Sequence, residues 1–150
     1  MLIIISIIVV VFIIYLLILT YLLKLNNKKV NISFNTLDLY YKKRWNLLPK
    51  IIVGLKDYDE LKKVLEELFV LKNTLYNKLT REEKLKLNKK ITSNINKINL
   101  KNYTSNKDIS KLYNDLEKIN DNIEIYYKEY NMYVNRTNKL KKIFPLNLKR

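Results

Sequence analysis

The sequence predicts an all-α fold, in which an N-terminal transmembrane helix leads into an antiparallel bundle of about four helices with long first and last members. Three observations support this prediction. Residues 1–23 carry no charged side chain, apolar residues in the rest of the chain recur at steps of three and four, and no segment alternates convincingly with period two. We therefore expect a transmembrane anchor at residues 1–24 and a bundle domain at residues 25–150.

The N-terminal apolar segment is long enough to cross a bilayer. A helix from Leu2 to Leu23 would be about 33 Å long at ~1.5 Å per residue, which matches a hydrocarbon core of about 30 Å. A cleaved signal peptide would need a basic leader, a shorter apolar core and a small-residue cleavage site. The first cation is Lys24 and the chain contains no Ala, so we expect an uncleaved anchor.

The basic residues that flank this segment lie on its C-terminal side. Lys24, Lys28 and Lys29 follow it directly, while the other side carries only the amino terminus. Cytoplasmic flanks of membrane spans carry the excess of Lys and Arg. We therefore expect a single-pass protein of the cell membrane, with its N-terminus outside and its C-terminal domain in the cytoplasm.

The formal net charge of +15 arises from 29 Lys and Arg residues against 14 Asp and Glu residues. Such a charge favours anionic lipid or nucleic acid as a partner. However, the cations are interleaved with acids, and a chain rich in Lys, Asn, Ile and Tyr without Ala or Gln is typical of an AT-rich genome. We favour a solvated basic face with incidental attraction to the membrane surface, and we do not expect nucleic acid as a specific partner.

Catalytic chemistry has little support in the composition. The chain contains no Cys and no His, which excludes thiolate or imidazole metal sites, a Cys nucleophile and a His base. The acid pairs Glu66–Glu67 and Glu82–Glu83 are adjacent, so their side chains point apart on a helix, whereas a catalytic dyad needs convergent carboxylates. We expect no catalytic residue, no cofactor and no metal.

The last third of the chain gives the clearest helical pattern. A seam advances by steps of three and four through Ile109, Leu112, Leu116, Ile119, Ile123, Tyr126, Tyr130, Tyr133, Thr137 and Leu140. It predicts one long helix with a coiled-coil type of seam, capped by Ser105 with Asp108 reciprocating. We expect this helix to stop at Phe144 and Pro145.

Three shorter apolar patterns predict the preceding helices. The sequence "TREE", Thr80 to Glu83, is a capping box that opens a helix whose apolar face is Leu87, Ile91, Ile95 and Ile98. A second stripe comprises Tyr58, Leu61, Leu65, Leu68 and Leu75, and a third comprises Val30, Phe34, Leu37, Tyr41, Leu48, Ile52 and Leu55.

Pro49 lies within the third stripe, so we expect the first helix to be kinked near Trp45–Leu48, or broken and restarted. Gly54 is a second weak point of that helix.

Two separated stretches of the chain carry recognisable motifs, "FNTLDLYYKKRWNLLPKIIVGLKDY" near the first helix and "NDNIEIYYKEYNMYVNRTN" followed by "FPLN" near the end. The first resembles the first long helix, and the second the C-terminal helix, of the LemA family of single-span bacterial membrane proteins. The chain departs from the family at Phe34, where the family has Trp, at Asn46 and at Thr137, and its residues 59–102 are shorter than is typical. The motif positions expected to be structurally important are Phe34, Leu37, Asp38, Arg44, Trp45, Leu48, Pro49, Tyr58, Tyr130, Asn131, Val134, Asn138, Phe144, Pro145 and Asn147.

The resemblance implies a membrane-anchored scaffold or interaction protein without catalytic activity, with a role in membrane organisation. Its expected partners are the lipid bilayer and another membrane or cytoplasmic protein, or a second copy of the chain. The alternative is a peripheral binder of anionic lipid or nucleic acid that uses the basic surface. The cations from Lys42 to Arg44 either touch lipid headgroups or, as we favour, serve the fold, with Arg44 pairing with Asp38 or a Glu across the bundle.

Overall fold

The structure, a computed structural model, describes residues 2–143. Four α-helices follow one another: α1 at Leu2–Gly54, α2 at Lys62–Lys72, α3 at Arg81–Ile98 and α4 at Lys107–Ile143. Short 3-10 helices lie in the three connections, at Asp59–Leu61, Tyr76–Lys78 and Leu100–Tyr103. Within the described residues there is no strand, and the predicted all-α bundle with long first and last helices is confirmed.

The chain forms two compact units. The terminal unit comprises α1 as far as Leu37 together with the chain from Ile125 onward, and the central unit comprises Asp38–Glu124. Both boundaries fall inside long helices, so α1 and α4 each contribute to both units. The predicted division into an anchor at residues 1–24 and a bundle domain at residues 25–150 stays a prediction.

The N-terminal part of α1 presents its apolar side chains outward. Its most apolar window of 18 residues has a mean hydropathy of 3.3, and 6% of that window is buried. Leu19, with 5% of its surface exposed, is the first buried residue of the helix. In the part of the chain that the structure describes, α1 is the one helix long and apolar enough to cross a membrane, judged by length and composition.

The first helix continues through its proline. α1 runs without interruption past Pro49 and ends at Gly54, so the expectation of a broken and restarted helix is wrong. Pro49 is exposed, whereas Ile51, about 160° away around the helix, is fully buried. The proline ring therefore needs no room in the core, and its missing N–H removes only the hydrogen bond to the carbonyl of Trp45.

The buried stripe of α1 differs from the prediction near its end. Ile51 is fully buried, whereas the predicted Ile52 is only partly buried. At about 100° per residue, Leu37 and Leu55 lie on one line, from which Ile51 deviates by roughly 40° and Ile52 by roughly 60°. The residue nearer to the line faces the core.

The prediction that Leu75 belongs to a buried stripe was also wrong. Leu75 is 65% exposed, and its neighbour Tyr76, which is 6% exposed, occupies the core instead. The reason is local geometry: Leu75 has left the helix and lies at ψ 79, just before a 3-10 turn, so helical periodicity no longer sets its direction.

The start of α3 is the capping box that the sequence predicts. The Thr80 hydroxyl oxygen accepts a hydrogen bond from the Glu83 N–H at 3.3 Å, and the Glu83 carboxylate accepts one from the Thr80 N–H at 2.8 Å. The predicted apolar face of α3 is buried along its length, at Leu87, Ile91, Ile95 and Ile98.

The start of α4 differs from the prediction by one residue. The cap is Asn106, whose side-chain oxygen accepts from the Asp108 N–H at 2.9 Å, so Ser105 as the cap was wrong. Both residue types cap helices, and the sequence alone did not distinguish them. The predicted end at Phe144 and Pro145, and the motif residue Asn147, lie outside the described residues.

Within the central unit, α4 runs antiparallel to α1. Ile109 near the start of α4 lies beside Gly54 at the end of α1, and Asn120 further along α4 accepts a hydrogen bond from Arg44 further back on α1. The helix α2 packs on α3, which follows it after a short connection. This arrangement brings polar side chains of α1, α3 and α4 to one point in the core.

Candidate functional site

A buried arginine joins three helices of the central unit. Arg44, with 2% of its surface exposed, occupies the core position between Tyr41 and Leu48 on α1. Its Nη1 donates to Thr92 Oγ1 at 2.8 Å and to Asn120 Oδ1 at 3.2 Å.

The second guanidinium nitrogen of Arg44 is bound by a single residue of α3. Nη2 donates to the carbonyl oxygen of Asn88 at 3.0 Å and to its side-chain oxygen at 3.1 Å. Asn88 is itself 2% exposed, and its amide donates to the Lys84 carbonyl at 2.9 Å. One cation thus fixes the relative positions of α1, α3 and α4 within the unit.

Arg44 has no anionic partner in the part of the chain that the structure describes. Across residues 2–143, no carboxylate lies within ion-pair distance of its guanidinium, and its Nε is buried without a hydrogen-bond partner. Burial lowers the pKa of Arg44 to about 10, opposed by Tyr41 and Tyr76, so the group keeps its proton at neutral pH. The expected pairing of Arg44 with Asp38 or a Glu was wrong, because neutral oxygens surround it instead.

The carboxylate of Asp38 has partners other than Arg44, namely Tyr76 and Lys84. Tyr76 donates its hydroxyl proton to Asp38 Oδ1 at 2.6 Å, and Lys84 Nζ binds Oδ2 at 2.9 Å. Lys42 lies further away, at 3.9 Å from the same oxygen. Burial and the hydrogen bond to Asp38 raise the pKa of Tyr76. Both carboxylate oxygens are therefore engaged.

The single Trp of the chain connects Tyr76 to α2. The Trp45 and Tyr76 ring centroids are 5.3 Å apart, and Lys72 Nζ lies 4.7 Å from the Trp45 ring centroid. Cations over indole rings are attracted by the ring quadrupole. The contacts of Asp38 thus continue as an aromatic and cationic layer towards the end of α2.

The other motif residues form aromatic contacts or differ in burial. Tyr58 stacks edge to face with Tyr103 at 4.6 Å in the central unit. In the terminal unit, Phe34 and Tyr130, one from each motif, lie with their ring centroids 5.6 Å apart. The remaining motif residues are buried (Leu37, Leu48), partly buried (Asn131, Val134) or exposed (Asn138).

The predicted membrane-flanking cations lie in the terminal unit. Lys24 and Lys28 are exposed, whereas Lys29 is partly buried with its Nζ 5.6 Å from the Tyr133 ring centroid.

Sequence reasoning missed the partners of both polar residues, which are Asn88, Thr92, Asn120, Tyr76 and Lys84. One signal was available. Asn88 precedes Ile91 by three residues and therefore lies in phase with the apolar face of α3, just as Arg44 lies in phase with that of α1. A polar residue at a core position requires a hydrogen-bonding partner, so both residues could have been identified as members of a buried polar cluster, although not as partners of each other.

The acid pairs and metal-ligand groups form no reactive cluster. Glu67 pairs with Lys97 at 3.5 Å, Glu82 pairs with Lys86 at 2.9 Å, and Glu83 belongs to the capping box. Among the described residues, no group of three or more His, Cys, Asp or Glu could hold a metal ion.

An open groove between α2 and α3 is the candidate interaction surface. It has a volume of about 610 Å³ and is lined by Lys63, Glu66, Glu67, Val70, Leu71, Lys90, Ser93, Asn94 and Lys97. Beside the polar lining, Val70 is 68% exposed and its neighbour Phe69 is 56% exposed. Val70 therefore gives the groove an exposed apolar residue among charges of both signs, and Phe69 extends the apolar surface beside it.

Comparison with known proteins identifies a family. The model of the LemA family matches residues 33–149, a range that includes both motifs and the region between them. No curated protein and no solved structure is significantly similar to the chain.

Proposed function

The chain belongs to the LemA family, and from this premise we propose that it is a membrane-anchored helical scaffold without catalytic activity, whose central unit binds another protein. The anchor is the apolar part of α1, and the protein is single-pass, with its N-terminus outside and its C-terminal domain in the cytoplasm. The observation that carries the binding role is the exposed apolar pair Phe69 and Val70 of α2, of which Val70 lines the α2–α3 groove.

The groove suits an amphipathic helix of a membrane or cytoplasmic protein. Val70 and Leu71 offer the apolar contact, and Lys63, Lys90 and Glu66 offer charges at the rim. Helices that dock in grooves place apolar anchors at intervals of three and four residues and meet a polar rim. Covering Phe69 and Val70 would remove their exposed apolar surface from water, which favours binding.

The contacts of Asp38 and Arg44 support a structural role for these two residues rather than a catalytic one. Asp38 is engaged by Tyr76 and Lys84, and Arg44 is buried behind neutral acceptors. A general base needs a free carboxylate within reach of a substrate proton. These two residues stabilise the bundle that presents the groove, which fits a scaffold in membrane organisation.

A photocrosslinking experiment tests the binding role. We would introduce p-benzoylphenylalanine at Val70 in the full chain, in the membranes of the cells that make it, with Val53 as the control. Val53 is 65% exposed and belongs to the same unit but not to the groove. We expect defined products at Val70 that are absent at Val53. Identical products at both positions, or none, would contradict the proposal.

A substitution beside the crosslinker identifies the surface. Phe69→Asn should reduce capture from Val70, whereas Leu39→Asn, at an equally exposed apolar residue of α1, should not. Because the contact is mainly apolar, capture should persist when salt is raised. A crosslink between two copies of the chain would identify the partner as the protein itself.

A further inference from the structure

The positive charge is concentrated on the terminal unit. Residues 1–37 and 125–150 carry ten Lys and Arg against the single acid Glu129, a net charge of +9. The longer central unit, Asp38–Glu124, carries nineteen against thirteen acids, a net charge of +6. A uniform compositional bias towards Lys does not explain why acids are missing from the unit that contains the apolar helix.

Within the terminal unit, α4 runs antiparallel to α1. Phe34 faces Tyr130 with ring centroids 5.6 Å apart, and Lys29 Nζ lies 5.6 Å from the Tyr133 ring centroid. Residues nearer to the N-terminus of α1 therefore lie beside residues nearer to the C-terminus of α4. Both helices advance by about 1.5 Å per residue, so these two contacts fix which residues lie at the same level.

The end of α4 consequently lies beside the last turns of the apolar segment. Counting from the pair Lys29 and Tyr133, Arg136 is level with Asn26 and Lys142 is level with Thr20. Burial supports this register, because Asn26 and Thr137 are 8% and 4% exposed at the same level. The end of α4 thus reaches the level at which α1 enters its apolar stretch.

Exposed cations of both helices gather at this level. We define the basic collar as Lys24 and Lys28 of α1 and Arg136, Lys139, Lys141 and Lys142 of α4, all exposed. Tyr21, 65% exposed, and Ile143, 57% exposed, lie at the same level or slightly deeper. The acid Glu129 is seven residues from Arg136, the nearest collar cation of α4, which is about 10 Å along the helix and comparable to the ~10 Å screening length in about 0.1 M salt. Lys139, Lys141 and Lys142 lie further from it.

We propose that the end of α4 rests in the headgroup layer of the membrane and that the basic collar binds anionic phospholipid headgroups. This inference rests on the anchor of the proposed function. Lysine stems lie along apolar surface while their ammonium groups reach the phosphates, and exposed Tyr residues occupy the same interface. Soluble phosphate or DNA would use the same charges, but the collar's level beside the apolar helix favours the membrane.

Depth measurement tests the position of α4. The chain has no Cys, so Ile143→Cys in the full chain gives a single site for a fluorophore, with Ile125→Cys as an equally exposed control about 27 Å away along the helix. In vesicles of phosphatidylcholine and phosphatidylglycerol, headgroup nitroxides should quench the probe at residue 143 and not that at residue 125. An unquenched probe at residue 143 would overturn the inference.

A probe in the apolar segment separates this result from the anchor itself. A fluorophore at Phe12→Cys should be quenched by nitroxides placed on the acyl chains. If residue 12 is quenched and residue 143 is not, the inference about α4 is wrong while the anchor stands. If residue 12 is not quenched, the anchor of the proposed function is wrong.

Lipid selectivity tests the collar. Quenching at residue 143 should be stronger with anionic than with neutral nitroxide lipids. The ratio of quenching by anionic lipids to quenching by neutral lipids should fall by about twofold or more in the variant Lys139→Gln/Lys141→Gln/Lys142→Gln, since each lysine near an anionic surface contributes to binding. The control Lys62→Gln/Lys89→Gln/Lys111→Gln removes three exposed cations of the central unit and should leave the ratio unchanged.

Salt and competitors complete the test. Raising salt should reduce the preference for anionic lipid, because exposed charges are screened. Inorganic phosphate or a DNA duplex, added at matched ionic strength, should leave the preference unchanged. If either removes it, the collar binds that soluble anion and the inference is wrong, as it is if the wild-type chain does not distinguish anionic from neutral lipid.

Discussion

At the scale of single residues, Arg44 illustrates how a buried charge is held without a counter-ion. Moving a charge out of water costs several kcal/mol, and buried charges in proteins are generally paired with an opposite charge. Here the acceptors are one helix carbonyl, two amide oxygens and a hydroxyl, from Asn88, Asn120 and Thr92. Hydrogen bonds from a charged donor are stronger than neutral ones, so four such acceptors replace a carboxylate.

Replacing this arginine should destabilise the central unit. Arg44→Met removes the buried charge but leaves the side-chain oxygen of Asn88 buried without its donor, so we expect a loss of about 2 kcal/mol or more. The only Trp of the chain, Trp45, is 7% exposed in the same unit, so its fluorescence reports unfolding of the full chain in detergent micelles. Lys43→Met, at the exposed neighbour, should change stability by no more than about 0.5 kcal/mol. Stabilisation by Arg44→Met would show that desolvation outweighs the hydrogen bonds.

Tyr76 should make stability depend on pH in the alkaline range. Burial and Asp38 raise the pKa of Tyr76, so the folded chain keeps a proton that an unfolded Tyr, with a pKa of about 10, releases. This contribution is complete below pH ~10 and is lost as pH rises above that value. Tyr76→Phe should lower stability by roughly 1.5 kcal/mol or more at neutral pH, with a difference from wild type that shrinks above pH ~10.

Unfolding of wild type and Tyr76→Phe, measured in parallel across this pH range, isolates the contribution because all other groups are shared. Tyr127→Phe, at an exposed Tyr, is the control and should show neither effect. A constant difference between wild type and Tyr76→Phe at all pH values would contradict the assignment.

At the scale of elements, helix ends follow local chemistry. Thr80 and Glu83 form the capping box that their spacing predicts, and α1 ends at the only Gly of the chain. Pro49 stays inside α1 because its ring faces outward, while buried side chains on the opposite face hold the helix together. Packing thus overrides a residue that disfavours helix in isolation.

The start of α4 offers a direct comparison of two adjacent residues. Asn106→Ala removes the acceptor for the Asp108 N–H and should cost about 1 kcal/mol. Ser105→Ala, one residue earlier, should cost little because the structure gives its side chain no role in the cap. Thermal unfolding of the two variants measures the difference. Equal losses, or a larger loss for Ser105→Ala, would move the cap back to the residue that the sequence predicts.

At the scale of the whole molecule, the proposed orientation has a simple test. Protease added to intact cells should leave the C-terminal domain whole, because the cations that follow the apolar segment keep that side in the cytoplasm. Trypsin is suitable, since the chain offers 29 Lys and Arg sites. The same treatment after lysis should digest the domain. Digestion in intact cells would reverse the orientation.

The sequence by itself determined the features that depend on neighbouring residues. The apolar segment, the steps of three and four, and the "TREE" capping box all act within a few turns of chain, so the all-α bundle could be predicted from them. The family motifs could be recognised for the same reason, because each is one continuous stretch. Local ambiguity remained between adjacent residues, as for Ser105 and Asn106 or Ile51 and Ile52, and at Pro49, where the sequence left open whether the helix continues.

Only the tertiary structure decided which distant residues meet. Arg44 and Asn88 are in phase with the apolar faces of their helices, but their pairing depends on how α1 and α3 pack. Likewise, the collar's cations stand more than a hundred residues apart in the chain and share a level only because α4 returns antiparallel to α1. The physical reason is that periodicity gives the direction of a side chain on its own helix, whereas its partner is set by the register between helices.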